Sequence, residues 1–271
     1  MLKRLINGQE SSRYDCHAPN QSFIFHGFSV FTTFLSFKKK PLLLTEHLQR
    51  LKAHAEELGL NYPGDAAFLS DLETLLTLDK LLRIRLTIGP EIRIAEAASH
   101  ILPSPDCYTH GVKVICSKIQ VHPQLAHLKT GNYLPYLMAR QEAEKAHAFE
   151  GLLIDQNHHI VDGSRSSPML YQDNTLTILK GGLEGITRKA VAKKARELGM
   201  KIKYEYVKAS QIHGQILLAG SGIGLVCTGK PLDQNIRTLV DYFSPNPGAA
   251  TPVLIHAKHQ VLHIDCHQVT F

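Results

Sequence analysis

The apolar residues of this chain come in bursts no longer than a β-strand, and that limits the folds open to it. The richest runs, such as Ile216–Ala219, fall far short of the roughly 18 uninterrupted apolar residues of a membrane span. Short apolar runs bounded by Gly, Pro and charged residues read as strands, and here they mix with stretches of helical period. With 271 residues, 44% of them hydrophobic, the chain can bury a full core as one large domain or two modest ones. Strands and helices do not alternate strictly, and no repeat or low-complexity tract intervenes. This predicts an α+β fold in two lobes, with a seam near residues 117–124.

Strand composition marks Phe23–Phe37, with Lys38-Lys39-Lys40-Pro41 as a hairpin turn and Leu42–Leu44 returning. Thr45 stands at an N-cap position. Leu48, Leu51, Ala55 and Leu58 then repeat at helical spacing before Gly59, a natural helix stop. Further helices are predicted over Ala66–Leu78, over Asn132–His147 with Pro135 in the first turn, and over Thr187–Leu198 ahead of Gly199. Strands are predicted at Leu82–Ile88 and Glu91–Ala95 around Gly89-Pro90, at Val112–Ile115, and as a hairpin of Gly151–Asp155 with His158–Asp162. Thr175–Leu179, Lys201–Val207 and Gln215–Ala219 complete the set, the last running into Gly220-Ser221-Gly222-Ile223-Gly224.

Charge and cysteine usage remove several functions. The net charge is +6, but its densest stretch, Arg188 to Lys203, holds no aromatic residue and reads as a solvated helix face, so no nucleic-acid interface is expected. The five cysteines, Cys16, Cys107, Cys116, Cys227 and Cys266, form no C-x-x-C pair. That excludes a structural zinc site and suits a reducing cytoplasm. The histidines, including His158-His159 and the terminal His256, His259, His263 and His267, are scattered rather than set at metal-ligand spacing. The polar turn after Met1-Leu2-Lys3-Arg4-Leu5-Ile6 fits no signal peptide.

Three short segments carry possible chemistry. Leu183-Glu184-Gly185-Ile186-Thr187-Arg188 leads into a helix, and its first amides at Ile186 and Thr187 are either a phosphate seat or an ordinary helix start. The Gly220–Gly224 loop can form a nest of amides with the Ser221 hydroxyl, though without Rossmann or P-loop spacing. Leu128-Lys129-Thr130-Gly131-Asn132-Tyr133 sets a lysine before a helix, a surface turn or a Schiff-base lysine.

Taken in order, Phe31-Thr32-Thr33, Glu46-His47-Leu48-Gln49-Arg50-Leu51, Lys129–Tyr133 and Gly185-Ile186-Thr187-Arg188 resemble the class-IV aminotransferase family, the fold-type-IV pyridoxal-phosphate enzymes, over roughly residues 22–226. The resemblance implies a smaller N-terminal α/β lobe (1–117) and a larger cofactor-binding lobe with a barrel-like sheet (118–271). It also implies pyridoxal 5′-phosphate as cofactor, a small-molecule amino substrate and a homodimer. Lys129 would carry the Schiff base and shuttle the substrate proton. Arg50, Ile186, Thr187 and Ser221 would hold the phosphate, although helical period alone leaves Arg50 on a solvated face. Where the family has a glutamate facing the pyridine nitrogen, this chain has Asp162 in Val161-Asp162-Gly163-Ser164-Arg165-Ser166-Ser167-Pro168, shorter by one methylene, or roughly 1.5 Å. Ser167 and Pro168 also depart from the pattern. Tyr133, Phe31 and His26 are explained equally well as core.

Phe31-Thr32-Thr33 and the short chain favour a lyase resembling aminodeoxychorismate lyase, which releases pyruvate and p-aminobenzoate for folate biosynthesis. Lys129–Tyr133 and the helix after it suit a branched-chain or D-amino-acid transaminase as well. Asp162 and Pro168 leave open a cofactor-binding relative without turnover.

Overall fold

The fold is that of a computed structural model, which describes residues 2–11, 21–77 and 80–244. Cys16, Cys266, the terminal histidines and the end of the 118–271 segment lie outside the described residues. A six-stranded antiparallel sheet uses β1 (Leu2–Ile6), β2 (Gln9–Glu10), β3 (Val30–Phe37), β4 (Lys40–Pro41), β5 (Leu82–Gly89) and β6 (Ile92–Ser99) in the order β2-β1-β6-β5-β3-β4. The predicted strand at Phe23 begins only at Val30. Before it, α1 (Gln21–Phe25) makes a single helical turn, with the Phe23 ring against Gly89, where a side chain on the glycine would collide with it. Lys38 and Lys39 both adopt left-handed backbone and close the β3–β4 hairpin as a two-residue turn that matches the strand twist.

Helix α2 (Leu44–Glu57) starts one residue before Thr45. Its N-cap is Leu43, in left-handed conformation and without a side-chain cap, so the expected threonine cap is not used. Gly59, at φ +66°, ends it as predicted, with Leu60 N–H donating to Ala55 O at 2.8 Å. Together with α3 (Asp65–Leu75), α2 covers the sheet around Phe34, Leu51, Phe68 and Ile84.

A connection containing α4 (Pro105–Thr109) leads to the second half. There, β7 (Val114–Gln120), β8 (Glu150–Ile154) and β9 (Ile160–Gly163) form one sheet, with α5 (Leu134–Lys145) packed on β7 and β8. The other sheet runs β12 (Lys201–Glu205), β11 (Thr175–Leu179), β10 (Ser167–Gln172), β13 (Gln215–Gly220), β14 (Gly224–Cys227). Helices α6 (Ile186–Glu197) and α7 (Gln234–Phe243) pack on this second sheet. Single bridges tie the edges of the two sheets, Val112 with Thr228 at one side and His159 with Lys208 at the other. The result is the barrel-like arrangement expected of this half.

Strand β10, absent from the sequence prediction, carries Pro168 near its start. The proline sits opposite Leu218 of β13, while pairing with β11 starts only at Met169, so the ladder needs no donor from it on that side. No helix among the described residues is long and apolar enough to cross a membrane.

Candidate active site

Helix α2 turns two stripes inward. Leu48, Leu51 and Ala55 enter the core, and His47, Arg50 and His54 form a neighbouring stripe at spacings of three and four residues, turned toward Lys129. Thr32 of β3 meets this stripe. Its hydroxyl lies 2.6 Å from His47 Nδ1 and accepts from Arg50 Nη2 at 3.0 Å. Burial lowers the Arg50 pKa to about 10, with Tyr133 and Asp162 opposing the shift, so the guanidinium stays charged at neutral pH. Its Nε is buried with no hydrogen-bond partner among the described residues. A guanidinium N–H shut from water without an acceptor is costly, and it marks where an anion fits.

The opposite wall is built largely from backbone. Ile186 and Thr187 open α6, whose N-cap Gly185 supplies no side-chain cap. The first-turn amides therefore face outward at the positive end of the helix dipole. A Cβ on Gly185 would stand 2.5 Å from Ser167 Oγ, so glycine is what allows α6 to begin against β10. Ser221, in the β13–β14 turn, has its Oγ 3.3 Å from Thr187 Oγ1 and 3.4 Å from His47 Nε2. That turn is gripped from outside: His100 Nε2 donates to Gly222 O at 2.7 Å, and Tyr108 OH donates to Ile223 O at 2.9 Å.

Lys129 stands between the two walls. Its segment covers the edge of β3, where Phe31 N–H donates to Lys129 O at 2.9 Å and Val30 bridges Thr130. Lys129 N–H donates to His54 Nδ1 at 3.1 Å. A side chain on Gly131 would meet Ser29 Oγ and come within 2.8 Å of Gly27 O, so this close approach requires glycine. Lys129 Nζ donates to Tyr133 OH at 2.9 Å and lies 4.7 Å and 4.8 Å from the Phe31 and Tyr133 ring centroids. Withdrawal from water, then the charge of Arg50, lowers the Lys129 pKa; Asp162 opposes this and Arg85 adds to it. A larger share of the amine is then free base, the nucleophilic form.

Asp162, on β9, is buried beside this lysine. Burial raises its carboxyl pKa, while Arg188 and then Lys129 pull it back. Arg188 itself donates to Leu179 O at 3.1 Å and Leu183 O at 2.9 Å, fixing the loop that enters α6.

The family model for amino-transferase class IV matches residues 29–227. The chain belongs to that family. A crystal structure of a protein provisionally named a 4-amino-4-deoxychorismate lyase is 46% identical, covers 89% of this chain and 98% of its own, and superposes with a TM-score of 0.82. The aminodeoxychorismate lyase of Bacillus subtilis (strain 168) is 24% identical over 225 residues, 73% of this chain and 75% of that protein. A protein of Rickettsia bellii (strain RML369-C), named as a probable branched-chain-amino-acid aminotransferase, is 27% identical over 228 residues, 77% and 78% of the two chains.

Enzymes of the class IV aminotransferase family use pyridoxal phosphate, and this chain is a pyridoxal-phosphate enzyme. The buried, unpartnered Arg50 Nε and the open amides of α6 fit the cofactor's phosphate. The structure gathers all six residues singled out in the sequence, Arg50, Lys129, Asp162, Ile186, Thr187 and Ser221, around one site. Phe31 and Tyr133 flank Lys129, whereas His26 is exposed.

Sequence reasoning missed four others. Thr32 and His47 lie inside recognised motifs without an assigned role. Arg85 stacks 3.8 Å from the Phe31 ring. Glu150, fully buried at the start of β8, accepts from Ser164 N at 2.9 Å, Ser166 Oγ at 2.6 Å and Ser164 Oγ. The serines after Asp162 thus secure the turn to Glu150. A charge opening an otherwise apolar strand was the available signal.

Proposed function

We propose that this chain releases pyruvate from 4-amino-4-deoxychorismate to give p-aminobenzoate, a step of folate biosynthesis. The 46% identity to the provisionally named lyase, over 89% of the chain, carries this reading. Bound pyridoxal phosphate supplies an aldehyde for the substrate amine and a ring that draws charge from the carbon bearing that amine. Lys129 would hold the cofactor at its aldehyde and would be the base placed for the proton on the carbon bearing the substrate amine. The substrate's C–O bond to its enolpyruvyl group would then break, the released enolpyruvate would take up a proton to become pyruvate, and the substrate ring would become aromatic. Asp162 would be the carboxylate for the pyridine nitrogen and would hold positive charge there. Arg50, the amides of Ile186 and Thr187, and Ser221 hold the phosphate. Arg85, whose charge bears on Lys129, receives a substrate carboxylate.

Pyruvate release coupled to lactate dehydrogenase, run against amino transfer to 2-oxoglutarate, tests the reading. Pyruvate formed in proportion to p-aminobenzoate, with no keto acid required, supports the lyase. Turnover only with a keto acceptor assigns the chain to the transaminases, the reading favoured by its relative in Rickettsia and by the Lys129–Tyr133 segment. Cofactor bound with neither product would place it among relatives without turnover.

The proposal includes two lobes, 1–117 and 118–271, with the site between them, and a cytoplasmic homodimer. Ile24, Phe25 and Phe28 are exposed on the segment whose Gly27 approaches Gly131 and Asn132, and Leu134, Leu137 and Met138 are exposed on the helix that follows those two residues. Apolar side chains concentrated this way suit a subunit interface. The unpaired Cys107, Cys116 and Cys227 suit a reducing compartment.

A further inference from the structure

Five polar side chains run in contact from one wall of the site to the other: Arg50, Thr32, His47, Ser221 and Thr187. Their spacings are 3.0, 2.6, 3.4 and 3.3 Å. Three of the four directions in this series follow from which atoms can donate. Arg50 has no acceptor, so Thr32 Oγ1 must accept from it. Thr32 is fully buried, and its single hydroxyl proton needs a partner. His47 Nδ1, at 2.6 Å, provides one only if that nitrogen is bare.

Burial first, then Arg50 and Lys129, hold the His47 pKa well below its usual value, so the ring is neutral. A neutral ring with a bare Nδ1 carries its proton on Nε2. That proton points to Ser221 Oγ. The opposite tautomer would set two donors on Thr32, strand the threonine proton in the core, and consume the Ser221 proton at His47.

We infer that His47 is held as the neutral Nε2–H tautomer, donating to Ser221 and thereby leaving one hydroxyl proton of the Ser221–Thr187 pair for the cofactor phosphate. The counting does not depend on which of the two hydroxyls faces out. If Thr187 donates to Ser221, the serine proton is spare; if Ser221 donates to Thr187, the threonine proton is spare. With Arg50 Nε and the α6 amides, the seat then offers donors only, matched to the proton-free oxygens of a phosphate dianion. His47 and Thr32 are positioning residues, acting through Ser221 and Arg50. This inference rests on the pyridoxal-phosphate reading and deepens it.

Nitrogen NMR of histidine-labelled full chain, without cofactor and then loaded, reads the tautomer directly. A protonated Nε2 and bare Nδ1 at His47 in both states is expected; a protonated Nδ1, or an imidazolium, overturns the inference. Cofactor affinity supplies the second readout. His47→Leu and Thr32→Val should weaken pyridoxal phosphate by about tenfold and leave phosphate-free pyridoxal within about twofold. Thr32→Ser, which keeps the hydroxyl, and His47→Gln, which keeps a donor for Ser221, should restore most of the loss. Equal weakening of both ligands, or none, contradicts the role. A wild-type chain that takes neither ligand refutes the cofactor reading itself, and the tautomer in the cofactor-free chain still stands or falls separately.

Discussion

The two walls of the proposed phosphate seat are made of different material. From α2 and β3 come side chains: Arg50, His47 and Thr32, packed edge to edge and supporting one another. From α6 and the β13–β14 turn come chiefly backbone amides, with the hydroxyls of Thr187 and Ser221, set by where the chain turns. A side-chain wall is lost by truncation and responds to pH. A backbone wall is lost only by moving an element, so its weak points are glycines and the contacts that grip its turns. Lys129 depends on the side-chain wall, since its segment hangs on β3 and α2, and its charge answers to Arg50 and to Asp162 of β9.

The largest effect expected from breaking this arrangement is at its centre. Lys129→Ala should lower turnover by at least about a thousandfold, measured as pyruvate release under steady state. Breaking the side-chain wall comes next. Arg50→Ala removes a charged partner of the phosphate and should weaken pyridoxal phosphate by about 30-fold, with phosphate-free pyridoxal much less affected in the same titration. The backbone wall should yield to Gly185→Ala, whose Cβ would press on Ser167 Oγ at 2.5 Å and displace α6. About tenfold weaker cofactor binding is expected, and Ser167→Gly in the same chain should relieve it.

Asp162→Asn keeps the shape and removes the charge. It should reduce kcat by about ten- to a hundredfold with cofactor affinity nearly intact, whereas equal loss of both would make Asp162 structural.

The smallest effect is on stability. The His54 pKa is lowered to about 4 by burial first and then by Arg50, against about 6.5 unfolded. The unfolded chain therefore binds more protons between these values, so stability is full above about pH 6.5 and falls as the pH drops toward 4. His54 is only partly buried, so its share, discounted for solvent screening, is about 1–2 kcal/mol. The fall in urea midpoint from pH 7 to pH 5 should be smaller in His54→Gln than in the wild type.

Much of the backbone wall could be read from sequence, because its signals are local. Gly185-Ile186-Thr187 and Gly220–Gly224 announce a helix start and a tight turn within a few residues. The side-chain wall could not be read from physical pattern. Apolar period identifies the Leu48, Leu51 and Ala55 stripe, but the His47, Arg50 and His54 stripe is polar and looks solvated until β3 and Lys129 cover it. Arg50 was reached only through family resemblance. Glu150 escaped for a related reason, since its partners Ser164 and Ser166 lie fourteen and sixteen residues away and meet it only when β8 and β9 pair. Strand β10 was missed too, and its Pro168 is tolerated because pairing with β11 begins only at Met169.

These walls converge on the Lys129 amine, which we propose as the cofactor's point of attachment. Borohydride reduction of the chain incubated with pyridoxal phosphate, followed by peptide mass mapping, tests it most directly. One reduced cofactor adduct is expected, on the peptide containing Lys129. An adduct confined to another lysine, or none on the folded chain, would contradict it.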